Sequence, residues 1–379
     1  MTTCANPSII TWARERSGFT IEELAQDMKI DPEQIRRWEL RLEFPSYAVL
    51  ENLAYRYLKV PLAVFFFPEP PDVEDTLGKF RRLPDCELER LSPDTIKTMR
   101  SAEGFQDSLE ELSSPEETRR RIFDEIDTEG ISAVQLAHRA RDYLGVTIER
   151  QFGFTGTEAA FKGWRHAIEN AGIFTFKFSL RDRFISGFCL LHVRFPIIVV
   201  NNSNAFSRQI FTLMHELGHI LYDIHGVTDV EGQYIECMPE QEKLMEIDCN
   251  RFASELLVPD EEFGNDIPAH FEPEIVPVLA SKYSVSREVI LRRLLEHGLV
   301  SQDYYASKAE EWNKDYLRSA PKEKGGNWFL TQLSYLGEGY THLAFEGYYR
   351  GRLSKEQLAQ HLNINAKNID KLESYIARG

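Results

Sequence analysis

The chain is poor in cysteine. Its five cysteines (Cys4, Cys86, Cys189, Cys237 and Cys249) are odd in number, widely scattered, and form no C-x-x-C pair. That excludes a disulfide framework and a cysteine zinc knuckle, so a bound metal would need histidine and carboxylate ligands. Long apolar runs are also missing. The longest, Val60 to Phe67 and Phe195 to Val200, fall far short of the roughly 20 residues of a membrane helix. The opening MTTCANPSII has no basic segment leading into an apolar core, so no signal peptide is expected. Positive charge is scarce as well: 44 Lys and Arg face 60 Asp and Glu, a formal balance of −16. Generic adhesion to nucleic acid or anionic lipid is thereby excluded, and any DNA contact must be local. These shortages lead to the expectation of a soluble, cytoplasmic protein without a membrane partner.

What is present is enough for a large core, with 42% hydrophobic and 12% aromatic residues in 379, a length that suggests two or three domains. Residues 6 to 67 read as short helices: Ile9 to Arg16, Ile21 to Met28, Pro32 to Leu40, Tyr47 to Tyr57, and a last apolar turn at Pro61 to Phe67. Thr20 followed by Glu23 is a capping box, and Asp31 before Pro32 supplies a cap with proline in the first helical position. Pro68, Pro70 and Pro71 then mark a boundary. From Ala171 the period turns extended, with IFTFKF, FISGFCLLHV and PIIVV separated by polar breaks, which predicts a small sheet. Asn201 to Asn204 end it. Helices are predicted from Ala205 to Tyr222 and from about Gln241 to Leu257, the second stopped by Pro259. Helical signals continue to the end, broken by the loop-like KEKGG at Lys322 to Gly326.

The strongest chemical signal is His215-Glu216-Leu217-Gly218-His219. On a helix the two histidines lie four residues apart on one face, where both rings can reach one ion while Glu216 projects beside it. A catalytic zinc site needs a third protein ligand and one open position. Glu246 supplies it best, because it shares a helix face with the apolar Cys249, Phe252, Ala253, Leu256 and Leu257; the competing Asp248 sits on another face. The plainer alternative is a buried histidine pair satisfied by backbone carbonyls.

RQIFTLMHELGHILY (Arg208 to Tyr222), followed after a spacer by EIDCNRFASELLVP (Glu246 to Pro259), resembles the ImmA/IrrE family of zinc metallopeptidases, the M78 peptidases. The resemblance implies a zincin-like core with Zn2+ held by His215, His219 and Glu246, and Glu216 as general base. Cys249 stands where the family usually has alanine. Tyr222, His225 and Tyr234 are candidates for the oxyanion donor, and spacing does not choose among them. Thr20 to Pro45 resembles the Xre/Cro-like helix-turn-helix family. By that resemblance Pro32 to Leu40 is a recognition helix offering Glu33, Gln34, Arg36 and Arg37 to double-stranded DNA, with Gln34 suited to adenine and an arginine to guanine or phosphate. Residues 1 to 70 nonetheless hold eight basic against ten acidic side chains, so the domain lacks a basic footprint. Two later segments echo the corner. Leu279 to Val300 is one; Leu353 to Glu373 aligns with Phe19 to Glu39 without a gap, repeating Leu24, Ala25, Gln26, Ile30, Ile35 and Glu39 as Leu358, Ala359, Gln360, Ile364, Ile369 and Glu373. The simpler reading of both is a helical corner that packs well.

The expectation is therefore an α+β, mostly helical chain. It comprises an all-α Xre-like domain (1–70), a helical connector (71–130), a zinc peptidase core (131–262), a helix-turn-helix-like subdomain (263–300) and a helical C-terminal region (301–379). The family resemblances imply a DNA-binding regulator, possible as a homodimer, that cleaves a specific partner: a repressor, or a toxin or antitoxin component, in stress, mobile-element or toxin-antitoxin control. The rival expectation is a non-proteolytic Xre-type regulator or antitoxin that keeps the zinc domain as a sensor or docking surface.

Overall fold

The computed structural model describes residues 5–58, 60–71, 91–113, 120–180, 182, 185–222, 227–229, 240–268, 270–318 and 327–376. The architecture is α+β and mostly helical, and the chain divides into two compact units, residues 1–101 and 102–379.

The first unit holds α1 (Pro7–Arg16), α2 (Ile21–Met28), α3 (Pro32–Glu39) and α4 (Tyr47–Asn52). Each start is fixed by a side chain. Thr20 and Glu23 form the reciprocal capping box, Asp31 accepts from the Glu33 amide, and Ser46 accepts from the Val49 amide. Where one helix was expected from Tyr47 to Tyr57, α4 stops at Asn52 and the chain widens into a π-turn over Leu53–Leu58. That turn puts Leu53, Ala54 and Leu58 together into the core, with Ile9, Ile10, Ala13, Leu24, Ile35 and Trp38. A buried pair, Arg14 Nε to Glu39 Oε1 at 2.6 Å, ties α1 to α3.

The second unit is built on a four-stranded sheet. β1 (Phe174–Phe178), β2 (Ile185–Leu190), β3 (Ile197–Asn201) and β4 (Val227–Asp229) lie in the order β1-β3-β2-β4. β1 pairs parallel with β3, and the other pairings are antiparallel. The three strands expected from sequence are there; the three-residue β4 was not expected, being too short to carry a period. Helices precede the sheet: α5 (Pro93–Leu112), which begins in the first unit and ends in the second, α6 (Ile122–Glu125), α7 (Ala133–Leu144), α8 (Ile148–Phe152) and α9 (Thr157–Asn170). α10 (Phe206–Leu221) and α11 (Glu240–Leu257) follow it, and α10 packs on β2 and β3 with α9 and α11 on its flanks.

Alternate residues of β1 face two layers. Phe176 stacks on Phe105 of α5 with ring centroids 4.6 Å apart, whereas Lys177 places its ammonium 4.6 and 4.8 Å from the ring centroids of Phe161 and Phe206. Asn201 closes the strand layer: its amide donates to the Ile185 carbonyl at 2.8 Å and its oxygen accepts from the Ser203 amide at 3.1 Å.

The rest of the unit is helical: α12 (Asp260–Asp266), α13 (Ile275–Tyr283), α14 (Arg287–Glu296), α15 (Gln302–Arg318), α16 (Trp328–Leu336), α17 (Glu338–Tyr349), α18 (Lys355–His361) and α19 (Ile369–Ile376). The α16–α17 junction is clamped to the core by Arg165 and Glu169. Arg165 pairs with Glu169 at 2.8 Å and donates to the carbonyls of Thr175 and Ser334, and Glu169 accepts from the Gly339 amide at 3.0 Å. Lys322 to Gly326, read as a loop, lies outside the described residues.

Candidate metal centre

α10 is buried along both sides from Gln209 to Leu221, apart from the half-buried Phe211, because it runs between the sheet, α9 and α11. A helix so enclosed has no solvent face on which to leave charge, and yet it carries His215, Glu216 and His219, all at most 1% exposed. Buried polar groups at this density need partners of opposite character. The partner comes from α11: Glu246 Oε2 lies 3.2 Å from His215 Nε2 and Glu246 Oε1 lies 3.1 Å from His219 Nε2, with the two Nε2 atoms 2.9 Å apart. One atom from each residue falls within 4.8 Å of the others, a cluster that could hold a metal ion.

Opposite charges are held together at that point. Burial resists charge on both partners. Against it, Cys249 and Glu246 raise His219 well above the ordinary imidazole range, and His219 and His215 hold the Glu246 carboxyl far below the ordinary carboxylate range. Two imidazole nitrogens and a carboxylate converging in a dry site also form the donor set of a catalytic zinc. With bonds of about 2.0–2.1 Å, tetrahedral ligand atoms stand roughly 3.3 Å apart, so the observed 2.9–3.2 Å separations need to open by only a few tenths of an ångström. The residues present fit the ion.

Two glycines make the approach possible, and neither stood out in the sequence. A Cβ on Gly218 would meet Phe252 Cδ1 at 3.1 Å and Cys249 Sγ at 3.4 Å, so its absence lets α11 lie close enough for Glu246 to reach the histidines. A Cβ on Gly187 of β2 would stand 2.5 Å from the Val199 carbonyl oxygen and 2.6 Å from Thr212 Cγ2, so that glycine lets α10 settle on the sheet. The only sequence signal for Gly218 is its place between His215 and His219.

The far end of α11 is anchored by a buried carboxylate that sequence reasoning also passed over. Glu255 accepts from Arg293 of α14 at 2.9 Å, from the Asp260 amide at 3.0 Å, and lies 2.9 Å from His138 Nε2 of α7. Asp248, the alternative third ligand, is only half-buried and stands outside the cluster. Tyr222, half-buried at the end of α10, has its phenol pushed up to about 12 by burial and by Asp248 and Cys249; His225 and Tyr234 lie outside the described residues.

The residues expected to touch DNA are elsewhere, on α3 of the first unit. Ile35 and Trp38 bury its inner face, leaving Gln34 and Arg36 half-buried and Arg37 and Glu33 exposed. Both arginines already have carboxylate neighbours: Arg36 pairs with Glu22 and lies 3.4 Å from Glu33, and Arg37 lies 3.8 Å from Glu43.

No curated protein matches the chain. The three converging side chains and Glu216 all fall within residues 168–295, which match the Peptidase_M78 family model, the IrrE N-terminal-like domain, and this match supports a peptidase of that family in this part of the chain.

Proposed function

We propose that the second unit is a zinc-dependent endopeptidase and that the chain as a whole is a regulator acting by cleaving one specific protein. The observation that carries this reading is the convergence of His215, His219 and Glu246 beside the buried Glu216, inside the segment matching the M78 peptidase family. Zinc in this site supplies Lewis acidity to an attacking water and to the substrate carbonyl. His215 and His219 hold their Nε2 atoms toward one point because α10 sets them one turn apart, and Glu246 keeps a negative charge there at neutral pH. Glu216, adjacent to His215 on the same helix, takes the proton from the water on its carboxylate and returns it to the departing amine. Enclosure by the sheet, α9 and α11 keeps bulk water from screening these charges.

In the same reading α2 and α3 form a helix-turn-helix that docks on a double-stranded operator, with Gln34 at a base edge and Arg36 and Arg37 on phosphate or guanine. Glu22, Glu33 and Glu43 must release the arginines for this, so binding is weak in a single copy and a homodimer on a two-fold site supplies the affinity. The cleaved partner is a repressor or a toxin or antitoxin component, and the protein works in the cytoplasm; no described helix is long and apolar enough to cross a membrane. The deciding experiment compares wild type with Glu216→Gln in cells by mapping newly formed protein termini. The proposal expects one partner cut by wild type and bound uncut by the variant. Identical termini and identical phenotype would instead establish the non-proteolytic regulator. A footprint across the protein's own promoter tests the DNA reading, with protection expected from wild type and lost in Arg36→Ala, Arg37→Ala.

A further inference from the structure

The echo between Thr20–Glu39 and Ser354–Glu373 extends to the backbone. Ser354 and Gln357 form the same capping box as Thr20 and Glu23. Asn363 takes the left-handed conformation at φ 51° where Lys29 has φ 57°. The next amide, Ile364, donates to the Ala359 carbonyl at 2.9 Å, as Ile30 does to Ala25 at 3.0 Å, and Asn365 caps the following turn as Asp31 does. Ser284, Val285 and Ser286 between α13 and α14 make a third copy, with φ 56° and a 3.0 Å bond from Val285 to the Ala280 carbonyl. The α18–α19 corner therefore has the frame of a helix-turn-helix, with Asn368 at the position of Gln34.

An aromatic side chain stands beside the α18–α19 corner. Trp328, at the start of α16, joins Gln360, Asn363, Asn365 and Asn368 around a cleft of about 590 Å³ floored by Ala359 and Ile364. The indole is held in place although 47% exposed. It sits edge-on to Phe329 at 5.0 Å, Phe329 stacks on Tyr375 at 5.4 Å, and Asn327, which caps α16, donates to the Tyr375 hydroxyl at 2.7 Å. Of the four amides, only Asn365 is engaged, accepting from the Lys367 amide; among the described residues the side chains of Gln360, Asn363 and Asn368 have no hydrogen-bond partner. No charged residue lines the cleft; the exposed Lys367 precedes the lining residue Asn368 in sequence.

A fixed aromatic face beside several in-plane donor-acceptor groups suits a planar, uncharged, hydrogen-bonding ring. A carboxamide offers a donor and an acceptor together, the complement of adenine N7 and N6; guanine would call for a cation at its O6 and N7, which the lining lacks. In a duplex the base faces are stacked on one another and are not open to an aromatic side chain. We propose that this cleft binds the adenine ring of a nucleotide or of single-stranded nucleic acid, stacked on Trp328 and read by Asn368 and its neighbouring amides, with Lys367 toward the phosphate.

The test is calorimetric titration of the full chain, carrying Arg36→Ala and Arg37→Ala to silence α3, with adenosine monophosphate, hexadeoxyadenylate and hexadeoxycytidylate. Adenine ligands bind and the cytosine oligomer does not. Trp328→Ala and Asn368→Asp each weaken binding about tenfold or more, whereas Trp328→Phe keeps most of it because a stacking face remains. Both substituted residues are solvent-accessible, and circular dichroism verifies that the variants fold. If the mononucleotide binds as well as the oligomer, a free nucleotide is the ligand; if only the oligomer binds, single-stranded nucleic acid is. Absence of binding by either at millimolar concentration, unchanged affinity in both loss variants, or binding of methyl glucoside in place of adenine would overturn the proposal.

Discussion

Replacing Gly218 with alanine and with valine separates helix propensity from helix packing at the candidate metal centre. Alanine in place of a mid-helix glycine gains roughly 1 kcal/mol of helix stability. Its methyl would arrive 3.1 Å from Phe252 Cδ1 and 3.4 Å from Cys249 Sγ, a crowding that a shift of a few tenths of an ångström relieves. The two effects nearly cancel, so Gly218→Ala should melt close to wild type. Valine retains only part of the propensity gain and adds two more carbons to the same gap, in a core where Phe252 and Cys249 are both fully buried. Overpacking of that kind costs about 1–3 kcal/mol, and valine should fall at the upper end. The loss corresponds to a drop of roughly 4–10 °C in melting temperature for a unit of this size. The displacement is carried by α11, one turn from Glu246, whose oxygens stand 3.1 and 3.2 Å from the histidines. Zinc affinity should therefore fall about 10- to 100-fold, the range seen when groups supporting metal ligands are disturbed. Thermal unfolding with and without chelator, and competition against a zinc dye, measure both quantities. A valine variant that melts with wild type and competes equally well for zinc would refute the packing argument.

Three further outcomes follow from buried polar and charged groups. Burial, reinforced by Arg165, pushes the Lys177 ammonium down from 10.5 to about 8, so below pH 8 the folded state carries an unfavourable buried cation. The pKa difference alone is worth about 3 kcal/mol, and the facing rings of Phe161 and Phe206 offset part of it. Lys177→Met should thus stabilise the protein by about 1–2 kcal/mol at pH 7. Between pH 8 and 10.5 the unfolded chain binds more protons than the folded one, so wild type gains stability as pH rises and the advantage of methionine shrinks; denaturant melts at pH 7 and pH 10 read this directly. Glu255→Ala should cost about 3 kcal/mol, the lower end for breaking a buried pair, because Arg293 keeps Asp260 and Glu296 at 3.1 and 2.8 Å; chemical denaturation checks it. Tyr340, buried against Phe105 and Phe176, donates its hydroxyl to the His361 carbonyl at 2.8 Å. Tyr340→Phe should cost about 1 kcal/mol, the worth of one such hydrogen bond, by the same assay.

The fold was legible wherever local pattern and tertiary demand agreed. α2 begins and ends as its capping box and apolar spacing require, and the strands around Phe176, Phe188 and Val199 lie where aromatic and β-branched residues run together. The pairing order was not legible, because β1 pairs in parallel with β3 although β2 lies between them in sequence, and no feature of β1 itself names that partner. The break of α4 at Asn52 has no local marker: Leu53 to Leu58 would serve equally well as α-helix, and burial of Leu53, Ala54 and Leu58 in one core decides the wider turn. At the candidate centre, spacing singled out His215, Glu216 and His219 and the apolar face of α11 singled out Glu246 over Asp248; the fold brings the two histidines and Glu246 together. Gly218, Gly187 and Glu255 were invisible for a common reason. Each matters through what a neighbouring element puts against it, and only the folded chain brings Phe252, Thr212 and Arg293 to those positions.

Metal content tests the central claim most directly, measured by elemental analysis on protein reconstituted with zinc and passed through a desalting column. About one zinc per chain is expected in wild type and in Glu216→Gln, because three protein ligands complete the site and Glu216 is not among them. The double variant His215→Ala, His219→Ala, verified as folded by circular dichroism, should retain none. Stoichiometric zinc in that double variant, or a wild-type protein that folds and binds no zinc, would contradict the account.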